Sequence, residues 1–135
     1  MSWQTIGAMS VLTSMAFLGC GDSLAEAGQE LVGSWNWVES SGGIAGITMT
    51  PESTGGTMML RFHPEGMVEL VQNDAVERSV AFTTTATKEA STWEILYEAP
   101  LFGGFESQTA ALTGDTLILA DGCCDGFVYR FERVR

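Results

Sequence analysis

Short alternating runs of apolar and polar residues, broken by turn residues, are the feature that most constrains how this sequence can fold. They extend from Leu31 to Arg135, and alternation with a period of two predicts strands that bury one face. Turn signals at Pro64-Glu65-Gly66 and Thr113-Gly114 predict hairpins between successive runs. No part of this region has the apolar period of a helix, so a parallel sheet built from βαβ units is excluded. The region is therefore predicted to be all-β.

About eight strands are predicted, joined mostly by short connections. They cover residues 31–39, 57–63, 67–72, 76–84, 92–98, 105–112, 115–120 and 126–134. About eight antiparallel strands are the number at which a closed up-and-down barrel can just hold one small ligand, and closure removes the exposed edges of a sheet. A two-sheet β-sandwich is the alternative fold, because a strand count alone does not establish closure.

The charge of the chain excludes several classes of function. Of the 135 residues, 17 are Asp or Glu and 6 are Lys or Arg, which gives a formal net charge of −11. Nucleic-acid binding is excluded, because it requires clustered Lys and Arg. The scattered carboxylates and the single His form no acid–base pair, so we predict no enzyme, no catalytic residues and no cofactor. No metal site is predicted either, because the cysteines lack the spacing of zinc ligands.

The first 21 residues carry no charged side chain. Within them, residues 6–18 form a mostly apolar run of about the length of a signal-peptide core. Several polar residues interrupt this run, so a permanent span, which needs about 20 predominantly apolar residues, is the weaker interpretation. The segment therefore predicts export. A buried N-terminal helix is the remaining alternative.

The segment Phe17-Leu18-Gly19-Cys20 resembles the lipobox of bacterial lipoproteins. The resemblance implies that residues 1–19 are a lipoprotein signal peptide and that Cys20 is acylated and becomes the new N-terminus. Residues 20–30 would then be an acidic tether to a domain over 31–135, and the acyl chains would attach the protein to a membrane. Gly21 after the cysteine implies, by the same resemblance, a cell-envelope location in the outer membrane. A secreted or periplasmic protein is the alternative.

Gly33-Ser34-Trp35 resembles the Gly-x-Trp signature on the first strand of lipocalins. Together with the segments at 60–66, 114–117 and 125–129, it is similar to small lipocalin-like domains of bacterial lipoproteins. The resemblance covers residues 31–135 and implies that the Trp plugs the closed end of a barrel beneath an Arg of the last strand. By strand alternation, Arg133 shares the inward parity of Phe131 and is the candidate partner of Trp35 in this floor plug.

The connection after the first strand, residues 40–56, is far longer than a hairpin needs. Long loops in compact domains are usually functional, and lipocalins carry a lid in this connection. The predicted ligand-binding residues at the mouth and lid of the barrel are Ile44, Ile47, Met49, Leu101 and Phe102. Apolar side chains around a barrel opening are typical of a site for a hydrophobic guest. The alternative is that the lid folds inward and fills the barrel as ordinary core.

Cys123 and Cys124 are adjacent, and with Cys20 acylated they are the remaining thiols. In an oxidising envelope they predict a vicinal disulfide, although free thiols or a bridge to a second copy stay open. The sequence as a whole predicts a membrane-anchored envelope lipoprotein whose barrel binds a small hydrophobic or amphipathic ligand. The alternative is a structural or protein-interaction module with a filled barrel, and the sequence identifies no protein partner.

Overall fold

The computed structural model describes residues 28–123 and 125–135. The predicted signal peptide, the acylation site Cys20, the tether as far as residue 27, and Cys124 lie outside the described residues. Within those two ranges, no helix is both long enough and apolar enough to cross a membrane.

Strands dominate the described part of the chain. A single 3-10 turn at Gln29–Leu31 precedes the first strand, and a four-residue helix, α1, covers Pro51–Thr54. The strands are β1 (Gly33–Gly42), β2 (Ile47–Met49), β3 (Met58–Phe62), β4 (Met67–Gln72), β5 (Ala75–Ala86), β6 (Thr92–Tyr97), β7 (Ser107–Thr113), β8 (Thr116–Asp121) and β9 (Phe127–Arg133).

The strands form one antiparallel sheet that closes on itself. From β3 to β9, each strand pairs with the next along the chain, and β1 pairs with both β3 and β9. These eight strands make a complete ring, and β2 is an extra strand attached to β1 outside the ring. The predicted all-β, eight-stranded antiparallel barrel is confirmed, and the β-sandwich alternative is wrong.

β1 completes the barrel because it is long and contains a bulge. Its register with β9 shifts by one residue between Trp37, which faces Phe131, and Glu39, which faces Arg130. An extra residue in one strand turns the following side chains over. Ser40 is therefore buried on the same inner face as Trp37, although an unbroken alternation would place it outside.

The core fills the interior of the barrel. Alternate residues of every strand in the ring point inward, as they do at Trp93, Ile95 and Tyr97 of β6, which are all buried. Burial of apolar surface of this kind is the main favourable contribution to folding, at about 25 cal/mol per Å². The fully buried side chains of the interior include Leu31, Trp35, Leu60, Phe62, Val68, Ile95, Leu117, Leu119 and Phe131.

The antiparallel order places alternate connections at opposite ends of the barrel. One end, called the floor here, holds residues 28–32 and the turns at 63–66, 87–91 and 114–115. The other end, called the mouth, holds residues 43–56, 73–74, 98–106 and 122–126.

The connection at 40–56 differs from the long unstructured lid expected from the sequence. β1 continues to Gly42, and a turn at 43–46 leads back into β2. α1 then follows, with the Thr50 and Ser53 side chains each accepting a backbone N–H of the other residue, which satisfies the first turn of the helix. The segment is therefore an ordered hairpin and helical turn beside the mouth.

Candidate functional site

The floor of the barrel is closed by Trp35 and Arg133. The Trp35 side chain is fully buried, and its indole Nε1 donates to the carbonyl of Leu31 at 2.8 Å. The Arg133 guanidinium lies over this ring, with Cζ 4.2 Å from the ring centroid. Its Nη2 and Nη1 donate to the carbonyls of Glu30 at 2.9 Å and Val32 at 3.2 Å. The two ends of the described domain therefore meet at this plug.

Gly33 provides the room that Arg133 needs. Its φ of 132° lies in the region that favours glycine, and a Cβ at this position would lie 3.1 Å from Arg133 Nη1. Asp115, in the turn between β7 and β8, places a carboxylate oxygen 3.7 Å from Nε of the same guanidinium. These contacts fill the floor with the protein's own side chains.

The structure separates the five residues predicted for mouth and lid into two groups. Leu101 is 1% exposed and belongs to the core, and Phe102 is half-buried and packs against it. Ile44, in the turn between β1 and β2, is 90% exposed, and Ile47 is 48% exposed. Met49, at the end of β2, is half-buried. Leu101 and Phe102 therefore close the mouth from the connection between β6 and β7, whereas Ile44 and Ile47 project at its rim.

A chain of polar side chains crosses the inner wall just below the mouth. Tyr97 Oη donates to Gln108 Oε1 at 2.8 Å, and Gln108 Nε2 donates to Asp121 Oδ1 at 2.7 Å. The second carboxylate oxygen of Asp121 accepts the backbone N–H of Phe127 at 2.9 Å. The chain joins four successive strands, β6 to β9, and Tyr97 and Gln108 are buried.

Sequence reasoning misses this chain, although one signal points to it. Gln108 and Asp121 face each other in the β7–β8 register, and each lies two residues from a buried apolar residue, Ala110 and Leu119. The period of two therefore places both polar side chains inside the barrel. A buried Gln and an inward Asp at matching positions of neighbouring strands indicate a hydrogen bond inside the barrel.

The two tyrosines of this region are held in the neutral form. Burial raises the pKa of Tyr97 well above its ordinary value, and the negative charge of Asp121 raises it further. Burial, and to a smaller extent Asp121, also raises the pKa of Tyr129 to about 12. Both phenols therefore remain hydrogen-bond donors throughout the physiological pH range.

Three aromatic rings cluster beside the polar chain. The centroid of Phe102 lies 4.4 Å from that of Tyr129, with the rings edge to face at 68°. The centroid of Phe127 lies 6.0 Å from that of Tyr129, with the two rings tilted by 40°. Deeper in the barrel, Trp37 Nε1 donates to the hydroxyl of Ser40 at 2.7 Å. The mouth thus combines aromatic surface with a carboxylate, whereas the floor of the barrel is sealed.

One buried hydroxyl in the wall has no partner. Thr84 is 9% exposed, and its Oγ1 makes no hydrogen bond with the protein atoms that the structure describes. Thr84 pairs with Ile95, which in turn pairs with Gln108. The hydroxyl therefore belongs to the same row of the barrel wall as the polar chain, two strands away from Gln108.

Three clefts open on the outer wall of the barrel rather than into its interior. One of about 290 Å³ lies against β5 and β6 around Leu96, which is 57% exposed. A second of about 420 Å³ crosses β5, β6 and β7 and is lined largely by Thr83, Thr85, Glu94 and Thr109. A third of about 330 Å³ lies on β3 near Met59. The second also touches Gln108 and Gly122, and Asp121 lines none of these clefts.

Cys123 lies in the connection between β8 and β9 and takes part in a disulfide. The other cysteines of the chain, Cys20 and Cys124, lie outside the described residues, so the vicinal bridge stays a prediction. The backbone around Cys123 is tightly packed. Gly126 donates its N–H to the carbonyl of Cys123 at 2.8 Å, and a Cβ on Gly126 would lie 2.5 Å from the Cβ of Asp121.

Among the residues described, no group of three or more His, Cys, Asp or Glu side chains is placed to hold a metal ion.

Comparison of the chain with protein-family models, with curated proteins and with solved structures finds no match in any of the three. The assignment of function therefore depends on the fold, on the residues at the mouth and on the resemblances in the sequence.

Proposed function

We propose that this protein is a membrane-anchored envelope lipoprotein whose lipocalin-like barrel binds a small amphipathic molecule at its mouth. The observation that carries the binding function is the polar chain Tyr97–Gln108–Asp121 beneath Leu101 and Phe102. Ligand sites are typically apolar concavities with a few converging polar groups. The mouth has the apolar rings and the polar groups of such a site.

Stability alone does not explain the polar chain. A neutral hydrogen bond contributes only about 1 kcal/mol net, and apolar side chains of similar shape could replace both partners at little cost. An interior made wholly of apolar residues would serve a barrel that only has to fold.

The packing of the interior limits how deep a ligand can reach. Leu60, Leu119 and Phe131 are fully buried across the middle of the barrel, so the lower half is occupied by the protein's own side chains. The proposed site is therefore shallow. A ligand would replace the contact between Phe102 and Tyr129 and reach Asp121 from the mouth.

The second candidate is a structural or protein-interaction module with a filled barrel. The complete burial of the central side chains supports it, as do the clefts on the outer wall around Leu96 and Glu94. In this case the polar chain would only fix the register of strands β6 to β9, and the acidic outer surface would face a partner protein.

Native mass spectrometry of the protein extracted from its own cells separates the two candidates. We expect a co-purifying small molecule that is lost from Asp121→Leu and retained by Glu94→Gln, which removes a charge from the outer wall. A protein free of any adduct, whose amide resonances near Asp121 also do not shift with added amphiphiles, would favour the interaction module.

The proposed attachment to a membrane through Cys20 has a separate test. Its support is the uncharged N-terminal segment and the lipobox resemblance at Cys20. Cys20→Ala should abolish labelling with a fatty-acid analogue and move the protein out of the membrane fraction, whereas Ser23→Ala should change neither. Unchanged fractionation of the Cys20→Ala protein would refute lipid anchoring.

A further inference from the structure

We propose that the mouth binds an organic cation, with the Asp121 carboxylate as its counter-ion and the rings of Phe102, Phe127 and Tyr129 as its walls. The inference rests on the proposed binding function and specifies the chemical class of the ligand. It follows from the charge of Asp121, the arrangement of the rings around it, and the field at this end of the barrel.

Asp121 is a carboxylate without a cationic partner in the described part of the chain. All six Lys and Arg residues of the protein belong to that part. The ion pairs formed there are His63–Glu69, Arg130–Glu39, Arg133–Asp115 and Arg135–Asp115. The donors that reach Asp121 are the amide of Gln108 and the backbone N–H of Phe127, which are both neutral. These bonds leave the negative charge of the half-buried carboxylate without a nearby positive charge, so the site favours a ligand that brings one.

The aromatic rings beside Asp121 suit the same ligand. The ring centroid of Tyr129 lies 4.4 Å from that of Phe102 and 6.0 Å from that of Phe127. The face of each ring carries a negative quadrupole that attracts a cation, and clusters of rings are a common means of binding ammonium groups. A neutral hydrophobic ligand would use the rings but not the carboxylate, and an anion would be repelled by it.

The electrostatic field at the mouth also favours a cation. The connections at this end carry five exposed acidic residues, Glu52, Asp74, Glu98, Glu106 and Asp125. The basic side chain of Arg78 also reaches this end, where it donates to the carbonyl of Pro100. With a net charge of −11 on the chain, cations are attracted to this opening and anions are repelled.

The rim provides apolar surface for the body of the ligand. Ile47 and Phe127 both pair with Gly42 in the sheet, on its two sides. Ile47 is half exposed. Phe102 precedes Gly103, whose φ of 69° is one that glycine adopts readily. A ligand with an ammonium head and a short apolar body would place the head at Asp121 and the body along this rim.

The test compares three soluble probes of similar size and different charge. Benzyltrimethylammonium, benzyl alcohol and benzoate are titrated by calorimetry into the full chain in lipid nanodiscs, with empty nanodiscs as the blank. We expect the cation to bind about tenfold tighter than the alcohol, and benzoate to bind most weakly. Equal binding of cation and alcohol would overturn the charge preference alone. Binding of none of the probes would overturn the mouth site itself.

Two variants locate the charge preference. Asp121→Asn should weaken binding of the cation about tenfold and change that of the alcohol by less than about twofold, whereas Glu94→Gln should change neither. Phe102→Leu leaves the hydrogen-bond chain intact and should also weaken the cation selectively. If Asp121→Asn fails to fold, the Phe102→Leu protein and the comparison of probes on the natural sequence still test whether the mouth prefers a cation. A cation preference that both variants retain would place the site elsewhere and refute the proposal.

Discussion

The Arg133 guanidinium lies over the Trp35 indole, with Cζ 4.2 Å from the ring centroid, and so links the last strand of the barrel to the first. The same group donates to the carbonyls of Glu30 and Val32, on the chain just before β1. A planar guanidinium can stack through its face while its edge donates several hydrogen bonds, which an ammonium cannot do in the same way. The contact therefore stabilises the closure of the barrel in addition to the β1–β9 ladder.

Replacement of Arg133 by Gln should destabilise the protein by about 1–3 kcal/mol, because it removes the stacking contact and two hydrogen bonds to backbone carbonyls. Arg133→Lys should recover only part of the loss. The free energy of unfolding from urea denaturation measures both. Arg130→Gln is the matched control, since Arg130 pairs with Glu39 at 3.5 Å on the outer face, and it should cost less than about 1 kcal/mol. Equal effects at the two positions would contradict a special role for Arg133.

Trp35→Ala should cost about 3–5 kcal/mol, because the fully buried indole leaves a cavity in the floor. Trp35→Phe should lie between this variant and the natural sequence, since it keeps an aromatic ring but loses the hydrogen bond to Leu31. Leu96→Ala, at a largely exposed position, is the control and should change stability by less than about 0.5 kcal/mol. A loss near zero for Trp35→Ala would mean that the ring contributes nothing to the packing of the floor.

The strands are predictable because each alternating run has bulky apolar residues on one face, whereas the closure of the sheet follows only from the pairing of β1 with β9. Trp93, Ile95 and Tyr97 show this in β6, and the same alternation puts Arg133 on the inner face of β9 beside Trp35. The polar chain at the mouth is harder to predict, because strand alternation puts Gln108 and Asp121 inside the barrel without showing that they face each other. Only the register of neighbouring strands shows that they meet inside the barrel.

The structure of residues 40–56 is not predictable from local preference. Ser40 and Gly42 disfavour strands by composition, yet both belong to β1 because pairing with β2 on one side and β9 on the other satisfies their backbone. Tertiary pairing outweighs intrinsic propensity here. The apolar residues Ile44 and Ile47 are consequently held at the rim, rather than on a lid that covers the opening.

Gly42→Ala should destabilise the barrel by about 1–3 kcal/mol. Gly42 has a φ of 140°, and a Cβ there would lie 2.4 Å from the carbonyl oxygen of Gly126, so the backbone of β1 or β9 must move. Gly46→Ala is the matched control: its φ is also positive, at 60°, but nothing lies within 4 Å of the added Cβ. It should cost only the strain of the backbone, about 1 kcal/mol. Thermal unfolding of the two variants side by side measures the difference, and a similar loss in both would refute close packing at Gly42.

Tyr97→Phe should cost about 1–3 kcal/mol at neutral pH, because it leaves the buried Oε1 of Gln108 without its donor. The same change should weaken the response of stability to alkaline pH. The phenols of Tyr97 and Tyr129 have a raised pKa in the folded protein, about 12 for Tyr129 against 10.0 for the free side chain. Between these values the unfolded chain loses protons that the folded chain retains, so stability is complete below pH about 10 and falls as the pH rises toward 12.

Urea denaturation at pH 7, 9, 10 and 11 tests both effects on the same samples. The natural sequence should lose stability steadily above pH about 10, and each of Tyr97→Phe and Tyr129→Phe should lose less over the same interval, because one of the two titrating phenols is absent. Phe105→Tyr supplies a control in which a phenol is added at a half-buried position of the mouth connection, and it should not flatten the alkaline decline. The contrary result is a Tyr97→Phe protein that is as stable as the natural one at pH 7 and equally sensitive above pH 10. It would show that water replaces the hydrogen bond between the Tyr97 hydroxyl and Gln108 without loss of stability. The polar chain would then be too weakly held to support the binding site proposed at the mouth.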